Sequence, residues 1–303
     1  MYDIIIIGAG PAGLTAAVYA RRAEKSAVII EKGTFGGQIT YSPKVENFPG
    51  FTEISGNGLA DLMVEQALSA GAEIELGEAE SVKVNPDGTK TVTTKEGDTF
   101  TSKAVIIATG AKHRLLGVPG EAELIGHGIS FCAVCDGAFY RGKEVIVVGG
   151  GNSALQEALL LSDTCKKVTM VQNLDCFTGE EKLLNTLKSK GNVEFITGTV
   201  VTGFESKNGE LTAVKIKDSD SEKTLTTDGV FVAIGLAPDN ENFRSVAELN
   251  QWGYFDTDES CSVKTEGIFV AGDCRKKIIR QITTACADGS VAALAACNYI
   301  DNL

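Results

Sequence analysis

The chain is poor in proline, histidine and tryptophan, with 6, 2 and 1 in 303 residues. So few prolines argue against proline-rich linkers or disordered arms. Two histidines, His113 and His127, leave little material for a histidine metal centre. Cations are outnumbered: 28 Lys and Arg stand against 40 Asp and Glu, a net charge of −12. That balance speaks against non-specific nucleic-acid binding. No apolar run is long enough to span a bilayer, so no membrane partner is expected. The chain opens directly on a strand pattern with no basic region or cleavage site, and no secretion signal is expected. Glycine, by contrast, is abundant at 34, which suits many tight strand-to-helix turns.

Eight cysteines are present, and two of them share a motif: Ser130-Phe131-Cys132-Ala133-Val134-Cys135-Asp136-Gly137. A C-x-x-C pair can close a disulfide and reopen it, and the thiolate is the reactive form. The bland alternatives are half of a zinc site or two buried thiols. A zinc knuckle needs a second ligand pair. The remaining cysteines (Cys165, Cys176, Cys261, Cys274, Cys286, Cys297) form no second C-x-x-C, so no metal site is expected. Cysteines in this pattern fit a reducing cytosol better than a disulfide scaffold. Cys286 and Cys297 read as core filling, since a free cysteine behaves as a small hydrophobe.

Residues 2–7 read as a buried parallel strand. Gly8-Ala9-Gly10-Pro11-Ala12-Gly13 follows, a G-x-G-x-x-G turn opening a helix to about Glu24. A second strand, 27–30, ends at Glu31, where a carboxylate can accept from ribose hydroxyls. Strand before, helix after and acid at this distance together read as a dinucleotide site, with a pyrophosphate at the helix N-terminus. Residues 33–51 read as a long loop, and long ordered loops are usually functional. A helix is expected at 57–70. Short strands at 73–75, 80–84, 90–94 and 98–101 suggest a β-meander, and 104–108 a further buried strand. After the C-x-x-C segment the opening pattern returns: strand 144–148, the turn Gly149-Gly150-Gly151-Asn152-Ser153-Ala154, a helix to about Ser162 and strand 167–171. This internal repeat implies two dinucleotide-type domains. A helix near 180–189, strands near 193–204, 211–217 and 230–234, a strand at 268–273 and a small-residue helix at 284–300 complete the chain.

Together these motifs resemble the low-molecular-weight thioredoxin reductases. The resemblance runs through Gly8/Gly10/Gly13, Gly36-Gly37-Gln38, Glu46-Asn47-Phe48-Pro49-Gly50, Ala108-Thr109-Gly110, the C-x-x-C-Asp-Gly stretch, the Gly149–Ala154 turn, Ala271-Gly272-Asp273 and Arg280-Gln281. It implies an α/β fold of two Rossmann-like domains, with parallel sheets and β-meanders. A FAD domain (1–113 and 243–303) would be split by an inserted pyridine-nucleotide-type domain (114–242) carrying the redox cysteines. It implies a cytosolic homodimer that binds FAD. The larger disulfide reductases carry a C-terminal His-Glu pair, and neither histidine here lies near the end. Gly8, Gly10, Pro11, Ala12, Gly13, Glu31 and Lys32 would hold the ADP half of FAD. Gly36, Gly37, Gln38, Asn47, Asp273, Arg280 and Gln281, with Thr109, Gly110 and Gly272 beside them, would hold the flavin and ribityl part. Cys135 would face the flavin, Cys132 would attack the disulfide of thioredoxin or a thioredoxin-like protein, and Asp136 would be the general acid and base. The insert would turn about its connectors, near 113–118 and 240–245, to expose the cysteines.

The second repeat departs from that family. Gly8 is followed 23 residues later by Glu31, but Gly149 is followed 23 residues later by Gln172. NADPH-using relatives place a His-Arg-Arg run there with a further arginine four positions on. This chain reads Gln172-Asn173-Leu174-Asp175-Cys176-Phe177-Thr178, without a positive charge. A 2′-phosphate would lose its strongest partners. Two readings follow: weak use of NADH through the Gln172 and Asn173 amides, or no pyridine nucleotide at all. The second resembles the ferredoxin-dependent flavin thioredoxin reductases. Arg275-Lys276-Lys277 with Arg280 suggests a basic patch that could dock an acidic carrier. A flavin dithiol oxidase using oxygen, or a flavin redox sensor, are the readings from other classes.

Overall fold

The computed structural model describes residues 1–42 and 44–303; Pro43, within the long loop expected at 33–51, lies outside them. The elements run β1 (Tyr2–Ile7), α1 (Pro11–Arg22), β2 (Ala27–Glu31), α2 (Gly56–Ser69), β3 (Glu73–Leu76), β4 (Ala79–Val84), β5 (Lys90–Thr94), β6 (Thr99–Ile107), β7 (Ala111–His113), α3 (Glu121–Leu124), β8 (Ile129–Ser130) and α4 (Ala133–Asp136). They continue with β9 (Glu144–Val148), α5 (Asn152–Ser162), β10 (Lys167–Val171), α6 (Glu181–Lys188), β11 (Val193–Ile196), β12 (Val200–Lys207), β13 (Glu210–Lys217), β14 (Glu222–Thr226), β15 (Gly229–Val232), β16 (Leu236–Pro238), β17 (Ile268–Val270) and α7 (Ile282–Asp301). They form two compact units, residues 1–112 with 237–303, and residues 113–236.

The first unit is built on one seven-stranded sheet, ordered β3-β2-β1-β6-β5-β4, with β17 also paired to β6. Four successive isoleucines make β1 a strand buried on both faces, and it lies parallel between β2 and β6. β-branched side chains suit that doubly covered position. β6 is a single long strand where two were expected. Its first half closes the antiparallel meander with β5, and its second half runs parallel between β1 and β17. Between the two expected strands, Ser102 is buried within the continuous strand and its hydroxyl donates to the Ala104 carbonyl. The small residues of α7 serve helix packing: a Cβ on Gly289 would overlap the Ala12 carbonyl at the start of α1. The segment 237–242, expected in the insert, packs with the first unit. Asn240 is 1% exposed and its amide donates to the carbonyls of Gly253 and Cys274.

The second unit repeats the plan in a five-stranded parallel sheet, β11-β10-β9-β15-β8, beside a three-stranded antiparallel sheet, β12-β13-β14. The strand expected over 193–204 is two, separated by a reversal at Gly198 with φ +59°. β14 was not expected, because its alternation is charged and polar and it lies at a sheet edge.

Candidate functional site

The first glycine turn leaves the C-terminal end of β1, where open α/β sheets hold ligands. Gly8 sits at φ +108°, and a Cβ on Gly13 would overlap the Gly8 carbonyl, so α1 starts directly against the turn. A Cβ on Gly10 would meet nothing within 4 Å, which leaves that side of the turn open to a phosphate. Pro11 takes the first helical position, where a missing N–H costs nothing. Glu31 Oε2 accepts from the Ala9 amide at 2.7 Å and Oε1 from the Gly33 amide at 2.8 Å. Lys32 lines the same cleft as Ile7, Gly8, Ile30 and Glu31, its ammonium paired with Asp239 at 3.0 Å and Glu78 at 3.3 Å.

The other residues expected around a flavin gather within the same unit. Gly36 follows the turn closely, its amide donating to the Ala9 carbonyl at 2.7 Å, and Gly37 opens a 3-10 turn that carries Gln38. The Gln38 side-chain amide donates to the Ala111 carbonyl, and that of Asn47 to Gln281 Oε1 at 3.2 Å. Gln281 caps α7 in a reciprocal capping box with Thr284. Gly272 packs against Ala12, and its amide donates to Asp288 at 2.9 Å. Thr109 donates to Asn240 at 2.9 Å, and Gly110 beside it faces open space. The Arg280 guanidinium lies 4.4 Å from the Tyr254 ring centre and reaches the Asp273 carbonyl.

Asp273 is the informative member. Its Oδ1 is buried and has no hydrogen-bond partner, and burial pushes its carboxyl up to about 6. A buried carboxylate oxygen facing nothing is costly unless a donor arrives. A hydroxyl-rich ribityl chain is such a donor, so the open glycine turn and the orphaned Asp273 oxygen together fit FAD.

The neighbouring cations do not form the expected basic patch. Arg275 is 2% exposed and forks onto Asp288 at 2.8 Å from both Nε and Nη2. Lys277, also turned inward, pairs with the same carboxylate at 2.8 Å, and Lys276 pairs with Asp256. Arg275 and Lys277 form a buried ion cluster on Asp288, which no spacing rule on one sequence identifies.

In the second unit Cys132 and Cys135 are joined as a disulfide. The Cys132 amide donates to Ser130 Oγ at 3.1 Å, and the Cys135 amide to Cys132 Sγ at 3.2 Å. Ser130 Oγ donates to Asp136 Oδ2 at 2.6 Å; Asp136 Oδ1 is buried without a partner. Burial raises the Asp136 carboxyl above the usual range, against the pull of Ser130. A carboxyl held toward its protonated form beside a disulfide can give a proton to a leaving thiolate and take it back. Glu157, not singled out from the sequence, also touches this turn: Oε2 accepts the Ala133 amide at 2.5 Å. No local spacing links it to the cysteines; the fold brings α5 to α4.

At the second glycine turn Gln172 lies over Gly150, while Gly151 stays as open as Gly10. Gln172 is 5% exposed, and its side chain lies so close to Gly150 that a Cβ there would overlap it. Its Nε2 donates to the Cys176 carbonyl at 3.3 Å, and its Oε1 accepts the Asn173 amide at 3.2 Å. Of the two amides expected at a ribose, that of Gln172 is turned inward and bonded to its own loop, whereas Asn173 is exposed. Asn173, Leu174, Asp175 and Thr178 are exposed and carry no positive charge. The six remaining cysteines are free. Among the described residues there is no cluster suited to a metal ion, and no helix is long and apolar enough to cross a membrane.

The sequence pattern of the pyridine nucleotide-disulphide oxidoreductase family matches residues 2–289. A thioredoxin reductase of Bacillus subtilis (strain 168) is 43% identical over 306 residues, covering 100% of this chain and 96% of that protein. A "34.2 kDa protein in rubredoxin operon" of Clostridium pasteurianum is 43% identical, covering 98% and 97%. The crystal structure of thioredoxin reductase from Streptococcus pyogenes MGAS5005 matches with a TM-score of 0.95 at 38% identity, covering 100% of this chain and 99% of that one. With its paired Rossmann-like sheets, its FAD-compatible turn and its C-x-x-C disulfide, the chain belongs to the pyridine nucleotide-disulphide oxidoreductases, as a flavoprotein of the low-molecular-weight thioredoxin reductase type.

Proposed function

We propose that this flavoenzyme reduces the disulfide of thioredoxin or a thioredoxin-like protein through Cys132 and Cys135, and that its electrons come from ferredoxin rather than from NADPH. The observation that carries the donor assignment is the strand end beside the second glycine turn, where Gln172 packs on Gly150 in place of a carboxylate and no cation follows through Thr178. In this reading the first unit is the FAD domain and the second a former pyridine-nucleotide domain. The turn from Gly8 to Gly13 with Glu31 binds the ADP half, and Asp273 with its neighbours the ribityl and flavin. The enzyme works in the cytosol as a homodimer; exposed Leu62, Leu68, Val291 and Leu294 on α2 and α7 suit a contact between copies.

FAD, when bound, supplies a centre that takes up electrons singly or in pairs. Opening the Cys132–Cys135 bond consumes two electrons and two protons. Asp136, poised by burial and by Ser130, holds a proton beside the opened pair. Cys132 as thiolate attacks one sulfur of the partner disulfide; that bond breaks and its leaving thiolate takes a proton. Cys135 then attacks Cys132 in the mixed disulfide, the second partner thiolate departs and is protonated, and the Cys132–Cys135 bond re-forms.

The second reading, NADH or NADPH as donor, is favoured by the intact Gly149–Ala154 backbone and by relatives called thioredoxin reductase. An anaerobic experiment decides: NADPH, NADH and reduced ferredoxin are added separately while flavin absorbance is followed. Ferredoxin alone should bleach it. Rapid bleaching by micromolar NADPH would end the donor assignment and leave the disulfide chemistry standing. Cys135→Ser should retain FAD and lose thioredoxin reduction; continued turnover would refute the dithiol route.

A further inference from the structure

Glu157 stands on α5, the helix that the second glycine turn would have aimed at a nucleotide. Its carboxylate accepts the amide of Ala133, the residue directly after Cys132 and the first of α4, which carries Cys135 and Asp136. Ser130 accepts the amide of Cys132 itself. The backbone on both sides of the Cys132 side chain is therefore gripped, by a hydroxyl on one side and by a carboxylate on the other.

We propose that Glu157 is a positioning residue of the dithiol chemistry: its carboxyl clamps the turn that carries Cys132 and Cys135, and its charge governs how readily the thiol released there ionises. This rests on the reading of that pair as the redox pair. A thiolate formed beside an ionised carboxylate is disfavoured, and two such groups titrate together. Burial pushes Glu157 up to about 7; the Ala133 amide opposes this, and the negative charge of Asp136 adds to it. The carboxyl thus changes charge where thiol exchange runs.

Asp136, on α4, is the charged group whose field reaches Glu157. Tyr140, just beyond, stays neutral with its hydroxyl pushed up to about 12 by burial. α6 packs on α5 with Glu181, Lys182 and Lys188 exposed. β9 and β10 contribute Glu144 and Lys167 at their outer ends, paired with Lys166 and Glu194.

The holoenzyme is reduced with dithiothreitol and alkylated with iodoacetamide across neutral pH, and labelling at Cys132 and Cys135 is followed by mass spectrometry. Glu157→Gln keeps an oxygen for the Ala133 amide and removes the charge. Above neutrality its thiol should alkylate faster by roughly three- to tenfold, the change produced by half to one unit in thiol pKa, with flavin content unaltered. Glu157→Ala also loses the clamp, so its thioredoxin turnover should fall, and the Gln variant should restore part of it. Superposable pH profiles for parent and Glu157→Gln would overturn the role of the charge, and full turnover in Glu157→Ala would overturn the clamp. If dithiothreitol releases no thiols at this pair in the parent, the redox reading falls and this proposal with it; intact release with unmoved profiles sinks this proposal alone.

Discussion

Gly8 leaves β1 at φ +108° and Gly149 leaves β9 at φ +134°, and the two turns that follow close in the same way. The Ala9 carbonyl accepts the Gly36 amide at 2.7 Å; the Gly150 carbonyl accepts the Thr178 and Gly179 amides at 2.8 and 3.0 Å. Gly10 and Gly151 are both open at the position of a Cβ, with nothing nearer than 4.0 Å. The difference lies in the side chain that ends the second strand. Both side chains reach back over their turns, but Glu31 brings a carboxylate that lines the cleft and accepts the Ala9 amide, while Gln172 is 5% exposed and donates to the Cys176 carbonyl. Backbone closure survives because it packs helix against strand, whatever the ligand. Ligand chemistry rests on a few side chains at strand ends, and these change without cost to the sheet. In the second unit the helix behind the turn has found other employment, through Glu157 on the disulfide turn.

The harshest way to separate the turns is Gly13→Ala. Its Cβ overlaps the Gly8 carbonyl, whereas the matching position in the second unit is already Ala154, fully buried. The variant should purify with flavin occupancy below about a tenth of the parent, since overpacking costs about 1–3 kcal/mol or more; visible absorbance against protein absorbance measures it. Next comes Asp288→Asn, which strips the partner from Arg275 and Lys277 in an ion cluster found in the first unit. Removing one member of a buried pair costs about 3–5 kcal/mol, and a urea melt reads it; a loss below 1 kcal/mol would mean the cluster is not a buried network.

Asn173→Arg with Leu174→Arg and Thr178→Arg tests whether side chains alone separate the units. Charge-assisted hydrogen bonds contribute roughly 1.5–3 kcal/mol each, so NADPH should bleach the flavin at least about tenfold faster than in the parent. No gain would mean that the folded-in Gln172 matters more than the missing charge. The smallest effect is expected at Asp273. In flavin-free protein its carboxyl is raised to about 6 by burial, so the folded chain holds that proton more tightly than the unfolded one. That contribution favours the fold below about pH 4 and is lost as pH rises through about 6. Flavin-free Asp273→Asn should therefore melt higher than the parent at alkaline pH and together with it in acid.

Much of this was legible in the chain because periodicity and glycine spacing report local backbone needs. Both βαβ repeats and the C-x-x-C turn stand where those signals put them; of the expected meander β4, β5 and the start of β6 form it, while β3 pairs in parallel with β2 at the other edge of the sheet. The junctions were less legible: the polar stretch 101–103 lies inside one continuous strand, β6, and Gly198 divides what read as one. The cations after Asp273 were visible as charge and invisible as a cluster, because their partner lies on a helix that begins after them.

Sequence alone determined that the chain would build two Rossmann-like halves, close one short disulfide and lack the arginines that grip a phosphate, since each depends on neighbours within a few residues. Tertiary structure decided that Gln172 turns inward, that Asp288 neutralises Arg275 and Lys277, that one oxygen of Asp273 is left without a donor and that Glu157 reaches Ala133. Those outcomes depend on which face of one element meets another, and no local rule on a single chain encodes that.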